Sequence, residues 1–302
     1  MKQFFIQLNV AIALLLVFSF HCQGADKYTL KYNLEKGKTY KQHSISDMNM
    51  TMSVMGQDMK MNMKMDIGIN YNVTDQNNGI YDIQMTYQRM KMNMSSLPAS
   101  FSFDSDSMDN SSDNNNIADV FKSIKETPID IQLTQQGKVA SVKGVDKLVE
   151  KINSISNDQS KQIFTQQFSE QTIQKMIEQI SSYFPDKPVA INDNWDVDTS
   201  LSSNGIDIIN KTTLTLKQVA NNVATIELAG TLATPEGGAT TQINGMDAKI
   251  SVTGTQTGTI QLDMKTGWFV RSDAILNFTQ NIEIMGQTMP QQVEAKTTIT
   301  AD

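Results

Sequence analysis

Histidine and cysteine are nearly missing from this chain, whose 302 residues hold two of the first and one of the second. Cysteine-histidine pairs, multi-histidine zinc sites and Ser-His-Asp arrangements therefore fail or depend on His43 alone. No Gly-x-Ser-x-Gly elbow, phosphate loop or His-Glu-x-x-His occurs. With these parts absent, no enzyme, no cofactor and no metal site is expected. Positive charge is also short: 25 Lys and Arg against 32 Asp and Glu leave a net charge of -7, which repels phosphate backbones and argues against nucleic acid. Past the N-terminus no apolar run approaches the roughly 20 residues of a membrane-spanning helix.

The N-terminus itself reads as an export signal. Lys2 precedes an apolar run from Val10 to Phe20, and Gly24 and Ala25 stand before the charged pair Asp26 and Lys27. Residues 1–24 are thus expected to be removed and the protein to be exported, periplasmic or extracellular. Cys22 raises the alternative of a lipid anchor, but Ser19-Phe20-His21 lacks the small residue that normally precedes a lipidated cysteine. Cleavage after Gly24 leaves no cysteine, so disulfides cannot stabilise the mature protein.

What the chain has in abundance is methionine, 19 in all, twelve of them between Met48 and Met94. Met59, Met61, Met63, Met65, Ile67, Ile69, Tyr71 and Val73 alternate with polar residues, the period of a half-buried strand. Met48, Met50, Met52 and Val54 alternate likewise, with a turn expected at Gly56-Gln57. After a turn at Asn77-Asn78-Gly79, Tyr81, Ile83, Met85 and Tyr87 begin a third strand. Its later Met90, Met92 and Met94 switch parity, which predicts a bulge near Gln88 and Arg89. Residues 25–94 form an N-terminal meander on this reading.

Residues 95–116, polar, acidic and aperiodic, read as a flexible loop. Asp104, Asp106, Asp109 and Asp113 within it lack the glycine and glutamate of a calcium loop. Asp193, Asp196 and Asp198 around Trp195 read as turn and strand-edge residues. Residues 117–187 form a helical middle: a short helix over 117–125, a hairpin over 129–142 turning at Gln136-Gly137, a helix over 145–155, and an amphipathic helix or broken pair over 159–184. Ser156 and Gln159 offer a capping box for the last, and Pro185 ends it. Residues 188–302 return to strands over 206–219, 223–232, 248–264, 268–284 and 289–300. "VMGQDM" at 54–59 recurs as "IMGQTM" at 284–289, each at an expected hairpin tip.

The methionines invite a copper reading, since thioether sulfur suits Cu(I). They share their alternation with isoleucine, tyrosine and valine, however, and burial at roughly 1.5–3 kcal/mol per side chain explains the whole face as core.

The stretches "LKYNLEKGKTYKQ" at 30–42, "MGQDM" at 55–59, "PVAINDNW" at 188–195, "GTIQLDMKTGW" at 258–268 and "MGQTMP" at 285–290 resemble an uncharacterised family of bacterial secreted or envelope proteins, catalogued as a domain of unknown function. Where the family more often has glycine before the aspartate of the tryptophan motif, this chain has Asn192. The resemblance implies an exported β-rich protein and transfers no catalytic residues.

The expected fold is α+β: long antiparallel strands forming one or two strongly curved, half-barrel-like sheets, with the central helices packed on the concave face. The expected function is binding of a hydrophobic ligand, a lipid or the acyl chain of a lipoprotein, between sheet and helices, with Met59, Met61, Met63, Met65, Met85, Met176 and Ile180 as the contact residues. The alternative is a structural module with a dry core that docks an envelope protein partner; copper binding through methionines stands third.

Overall fold

The computed structural model describes residues 26–54, 57–96, 100–106, 124–125, 127–155, 169–203, 206–243 and 246–301. The expected signal peptide, Cys22, most of the acidic stretch 95–116, nearly all of the helix expected over 117–125 and the expected Ser156-Gln159 cap lie outside them.

The α+β expectation is corrected. Strands hold 69% of the described residues and helices only 10%. In chain order the strands are β1 (Lys27–Tyr28), β2 (Thr39–Val54), β3 (Gln57–Asn77), β4 (Ile80–Ser96), β5 (Ser100–Asp104), β6 (Ile129–Thr134), β7 (Val139–Lys143), β8 (Val189–Ala190), β9 (Asn194–Ser203), β10 (Ile206–Ala220), β11 (Val223–Ala233), β12 (Ala239–Ile243), β13 (Met246–Asp263), β14 (Phe269–Ile284) and β15 (Gln287–Thr300). Between them lie α1 (Val145–Ile155) and α2 (Glu170–Ser181). Thirteen strands make one antiparallel sheet in the order β7-β6-β4-β3-β2-β15-β14-β13-β11-β10-β9, with β5 on β4 and β12 on β13; β1 and β8 form a separate pair. The two ends of the chain share this sheet because β2 pairs with β15, Met50 opposite Val293 and Ser44 opposite Ile299. Among the described residues the helices are too few and too short to form a layer, and α2 packs against the outer strands β7 and β9.

Alternation sets the register. Tyr71 and Val73 are buried, and the same side carries Tyr40 and Gln42 of β2, Val293 and Ala295 of β15, and Leu276 and Phe278 of β14. Pairing of Gly68 with Arg89 and of Ile69 with Tyr87 leaves Gln88 unpaired, which is the bulge that the parity switch of the methionines requires. Tight turns match their residues: Asn78-Gly79 and Asn221-Asn222 adopt positive φ at both central positions, as two-residue hairpins favour. The echoed tip turns at Met285-Gly286, one residue earlier than the sequence suggests, with φ of 52° and 78°. The matching residues 55–56 lie outside the described set. Asn192, at φ 73°, makes the turn in which the resembling family more often has glycine, and its N–H donates to the Leu216 carbonyl.

The path is not a closed barrel, since its outer strands β7 and β9 do not pair. Both nevertheless touch α2, so the sheet must curl until its two edges flank one helix. Ser169 caps that helix, accepting from the Thr172 N–H. Ile173 and Ile177 face the core. At its end the Ser181 and Ser182 hydroxyls donate to the Gly137 carbonyl in the β6–β7 turn, while the Trp195 indole of β9 donates to the Tyr183 carbonyl. Gly137, at φ 80°, sits so close to the Ser181 carbonyl that any Cβ there would collide with it.

The segment after β1 crosses the same end. Tyr32 N–H donates to the Gln135 carbonyl and Asn33 N–H to the Thr266 carbonyl, tying the β6–β7 turn to the β13–β14 turn. Gly267, at φ 69°, leaves room for the Lys31 carbonyl to pass. Asp263 holds this second turn through the Thr266 hydroxyl and the Lys265 and Thr266 N–H groups, with Asn222 also donating. Partial burial pushes its carboxyl up, but these donors outweigh that and hold it below its usual value. A depressed carboxylate stabilises the fold above its unfolded pKa and loses that contribution as pH falls through the folded one. We expect Asp263→Ala to cost roughly 1.5–3 kcal/mol, as for hydrogen bonds to a charged group. In thermal melts the gap from the parent should be full at neutral pH and shrink below the ordinary carboxylate range; a pH-independent gap would remove the carboxylate from the explanation.

Candidate functional site

The concave face divides into a packed part and an open part. In the packed part Tyr32, Val73, Tyr81, Ile83, Met85, Ile131, Leu133, Ile173 and Leu148 are at most 3% exposed. The Tyr32 ring meets Tyr183, Phe184 and Trp268 with centroids 4.8–6.2 Å apart, and its hydroxyl lies 3.0 Å from that of Tyr183. Burial keeps both phenols protonated, driving their pKa above the ordinary value.

Across from it, under β10 to β15 and α2, lies a cavity of about 430 Å³. Ile208, Leu228, Leu232, Val252, Ile260, Leu276, Phe278 and Ile299 supply its apolar wall, Ile180, Gln179 and Tyr183 its helical side, and Gln42 its contribution from β2. The space exists because the inner face is locally small: Gly258 opposes Ala274, and Ala274 opposes Thr297. Along β13 the lining runs from Ile260 to Val252, a length of roughly 26 Å at about 3.3 Å per residue. Its polar groups are amides and hydroxyls, from Gln42, Gln179, Asn210, Gln256, Tyr183, Ser272 and Thr297; no lining residue is charged. Asn210 donates to Gln256 Oε1 at 3.2 Å. The outer face carries a larger trough of about 650 Å³, but threonine, asparagine and glutamine make it polar and open.

Of the seven residues expected at the site, only Ile180 lines the cavity. Met85, 2% exposed, is packed away beside Tyr71. Met176 is 40% exposed on α2. Met61, Met63 and Met65 are half-buried on the inner face of β3, and Met59, nearer the tip, is 47% exposed. They sit in cross-strand rows: Met50 opposite Met61, Met48 opposite Met63 and Met63 opposite Met94. This field adjoins the cavity, since Met48 pairs with the cavity residue Ala295. His43 faces the other way, its Nε2 2.8 Å from Asp66 Oδ1 on the outer face, where Arg89, Lys91 and Lys125 pair with Asp66, Asp104 and Asp106. Among the described residues, no three His, Cys, Asp or Glu converge as metal ligands, and no helix is long and apolar enough to cross a membrane.

Sequence reading missed the cavity residues of β10 to β15. Their signal is the small inner-facing set, Gly258, Ala274, Ser272 and Ala295, which becomes visible only once the register is known.

The model of a family described only as being of unknown function matches residues 78–269. None of the curated proteins compared with the chain matches it. Among solved structures, lipovitellin, in a study of its lipid–protein interactions, has 8% identity and a TM-score of 0.49 over 89% of this chain and 25% of its own. The chain thus spans about a quarter of the lipovitellin chain. OccK5 of Pseudomonas aeruginosa has 7% identity and a TM-score of 0.28 over 88% of this chain and 99% of its own. An outer membrane channel of Pseudomonas putida F1 has 6% identity and a TM-score of 0.23 over 90% of this chain and 97% of its own.

Proposed function

As a member of that family, DUF6263, the chain inherits no assigned activity, and we propose from its geometry that it binds an apolar ligand, such as the acyl chain of a lipid or lipoprotein, between the curved sheet and α2. It does so as an exported, non-catalytic binding protein. The observation that carries this reading is the uncharged, largely apolar cavity of about 430 Å³, a size typical of small-molecule sites. Its walls of Leu, Ile, Val and Phe suit hydrocarbon better than water.

Native mass spectrometry of the protein purified from cells that make it tests the reading. Added mass matching a lipid or an acylated peptide is the expected result. A bare polypeptide that also fails to take up an apolar fluorescent probe would leave a dry interaction module.

One observation favours a second reading. The cross-strand methionine rows bring several thioethers onto one half-buried surface, which suits Cu(I). Competition with a Cu(I) chelator decides it: no uptake, or uptake unaffected by Met61→Leu with Met63→Leu, removes copper from consideration.

A further inference from the structure

Two polar atoms in this core are buried without a partner, and a carboxamide stands beside them. Gln42 is only 6% exposed, and its side chain makes no hydrogen bond to any described residue. Tyr71 Oη and Trp268 Nε1 are fully buried and unpaired. All three residues line one narrow pocket of about 20 Å³. That pocket shares Gln42, Ile180 and Phe269 with the large cavity, so it forms an inner extension of it. Buried polar groups are nearly always satisfied, and two exceptions from residues lining one recess, with the Gln42 carboxamide beside them, point to a missing partner.

The chemistry of that partner is constrained. An indole N–H only donates, a phenol donates or accepts, and a carboxamide does both. The partner must therefore offer an acceptor oxygen to Trp268. It cannot be an anion, because no Lys or Arg lines either pocket and a buried unpaired carboxylate is strongly penalised. Burial also keeps the Tyr71 phenol protonated, so the recess itself is neutral.

We propose that the ligand is an uncharged acyl ester or amide, its carbonyl held at the recess by Gln42, Tyr71 and Trp268 and its hydrocarbon chain laid along β13 toward Val252. This rests on the binding role proposed above and adds the head-group class. Ionised fatty acids and plain hydrocarbons are disfavoured, the first for want of a counter-charge and the second because they leave the two buried atoms unsatisfied.

The test uses the whole mature protein and displacement of 1-N-phenylnaphthylamine by monolauroylglycerol, dodecanoate and dodecane at pH 8. The ester should compete at least tenfold better than either of the others. Gln42→Leu should bring it down to the level of dodecane. Tyr71→Phe, which removes a hydroxyl without partners, should melt no lower than the parent and weaken the ester several-fold. Dodecanoate binding as tightly as the ester, or an ester indifferent to both substitutions, overturns the proposal and leaves a single bridging water as the occupant of the recess, a volume it fits. Failure of the probe itself to bind would instead sink the cavity reading on which the proposal stands.

Discussion

Replacing Ala274 with phenylalanine should reduce binding of an apolar probe at least tenfold while leaving thermal stability unchanged or higher. Ala274 sits in the cavity wall between Gly258 and Thr297, where the inner face is thinnest. In a filled core the added ring would strain its neighbours and cost about 1–3 kcal/mol. Here the ring enters space that no side chain occupies, so it gains contacts and excludes the ligand. The two readouts must move apart. A melting temperature several degrees lower would mean that the cavity is already filled by protein, and unchanged binding would place the ligand elsewhere.

Tyr32→Ala should be the most damaging single truncation, lowering stability by about 3–5 kcal/mol, as for large aromatic residues cut to alanine in a core. The tyrosine is 2% exposed, its ring touches three aromatic neighbours, and its own backbone carbonyl accepts from the buried Tyr81 hydroxyl. It lies on the segment joining two turns from opposite halves of the sheet, so the loss loosens both. Against a usual total of about 5–15 kcal/mol, this brings the protein near unfolding. Tyr32→Phe, which sacrifices only the hydroxyl pairing with Tyr183, should cost roughly 1 kcal/mol. Denaturant melts of the two variants give the comparison, and equal losses would show that the hydroxyl pair rather than ring packing holds this end together.

Most of the long strands were legible because they declare themselves locally. Alternation from Met59 to Val73 fixes β3, and the parity change between Tyr87 and Met90 locates its neighbour's bulge without any structure. α1 and the buried stripe of α2 were legible for the same reason, through spacing of three and four residues. The role of α2 was not, because contact with both outer strands depends on how far eleven strands curl, a sum of small twists that no window of sequence contains. β5, β9 and β12 were passed over: β5 lies inside the stretch read as a flexible loop, β9 is polar on its exposed side, and β12 is only five residues long. Methionine abundance drew the expected site to β3, whereas the cavity arises where residues are small. Volume is set jointly by Gly258, Ala274 and Ala295 on three strands, and a scarcity of bulk has no signature until those strands are placed side by side.

The junction of β2 with β15 also sets a timetable. Ser44 must wait for Ile299 to be made before its strand has a neighbour on that side, a delay of roughly 12–50 s at about 5–20 residues per second of synthesis. Until then the growing chain displays a bare backbone edge beside a row of methionines, the combination that invites association with other chains. A nascent protein of this topology depends on being shielded while it is incomplete, and mass-produced without such shielding it should accumulate as aggregates even if the finished fold is stable.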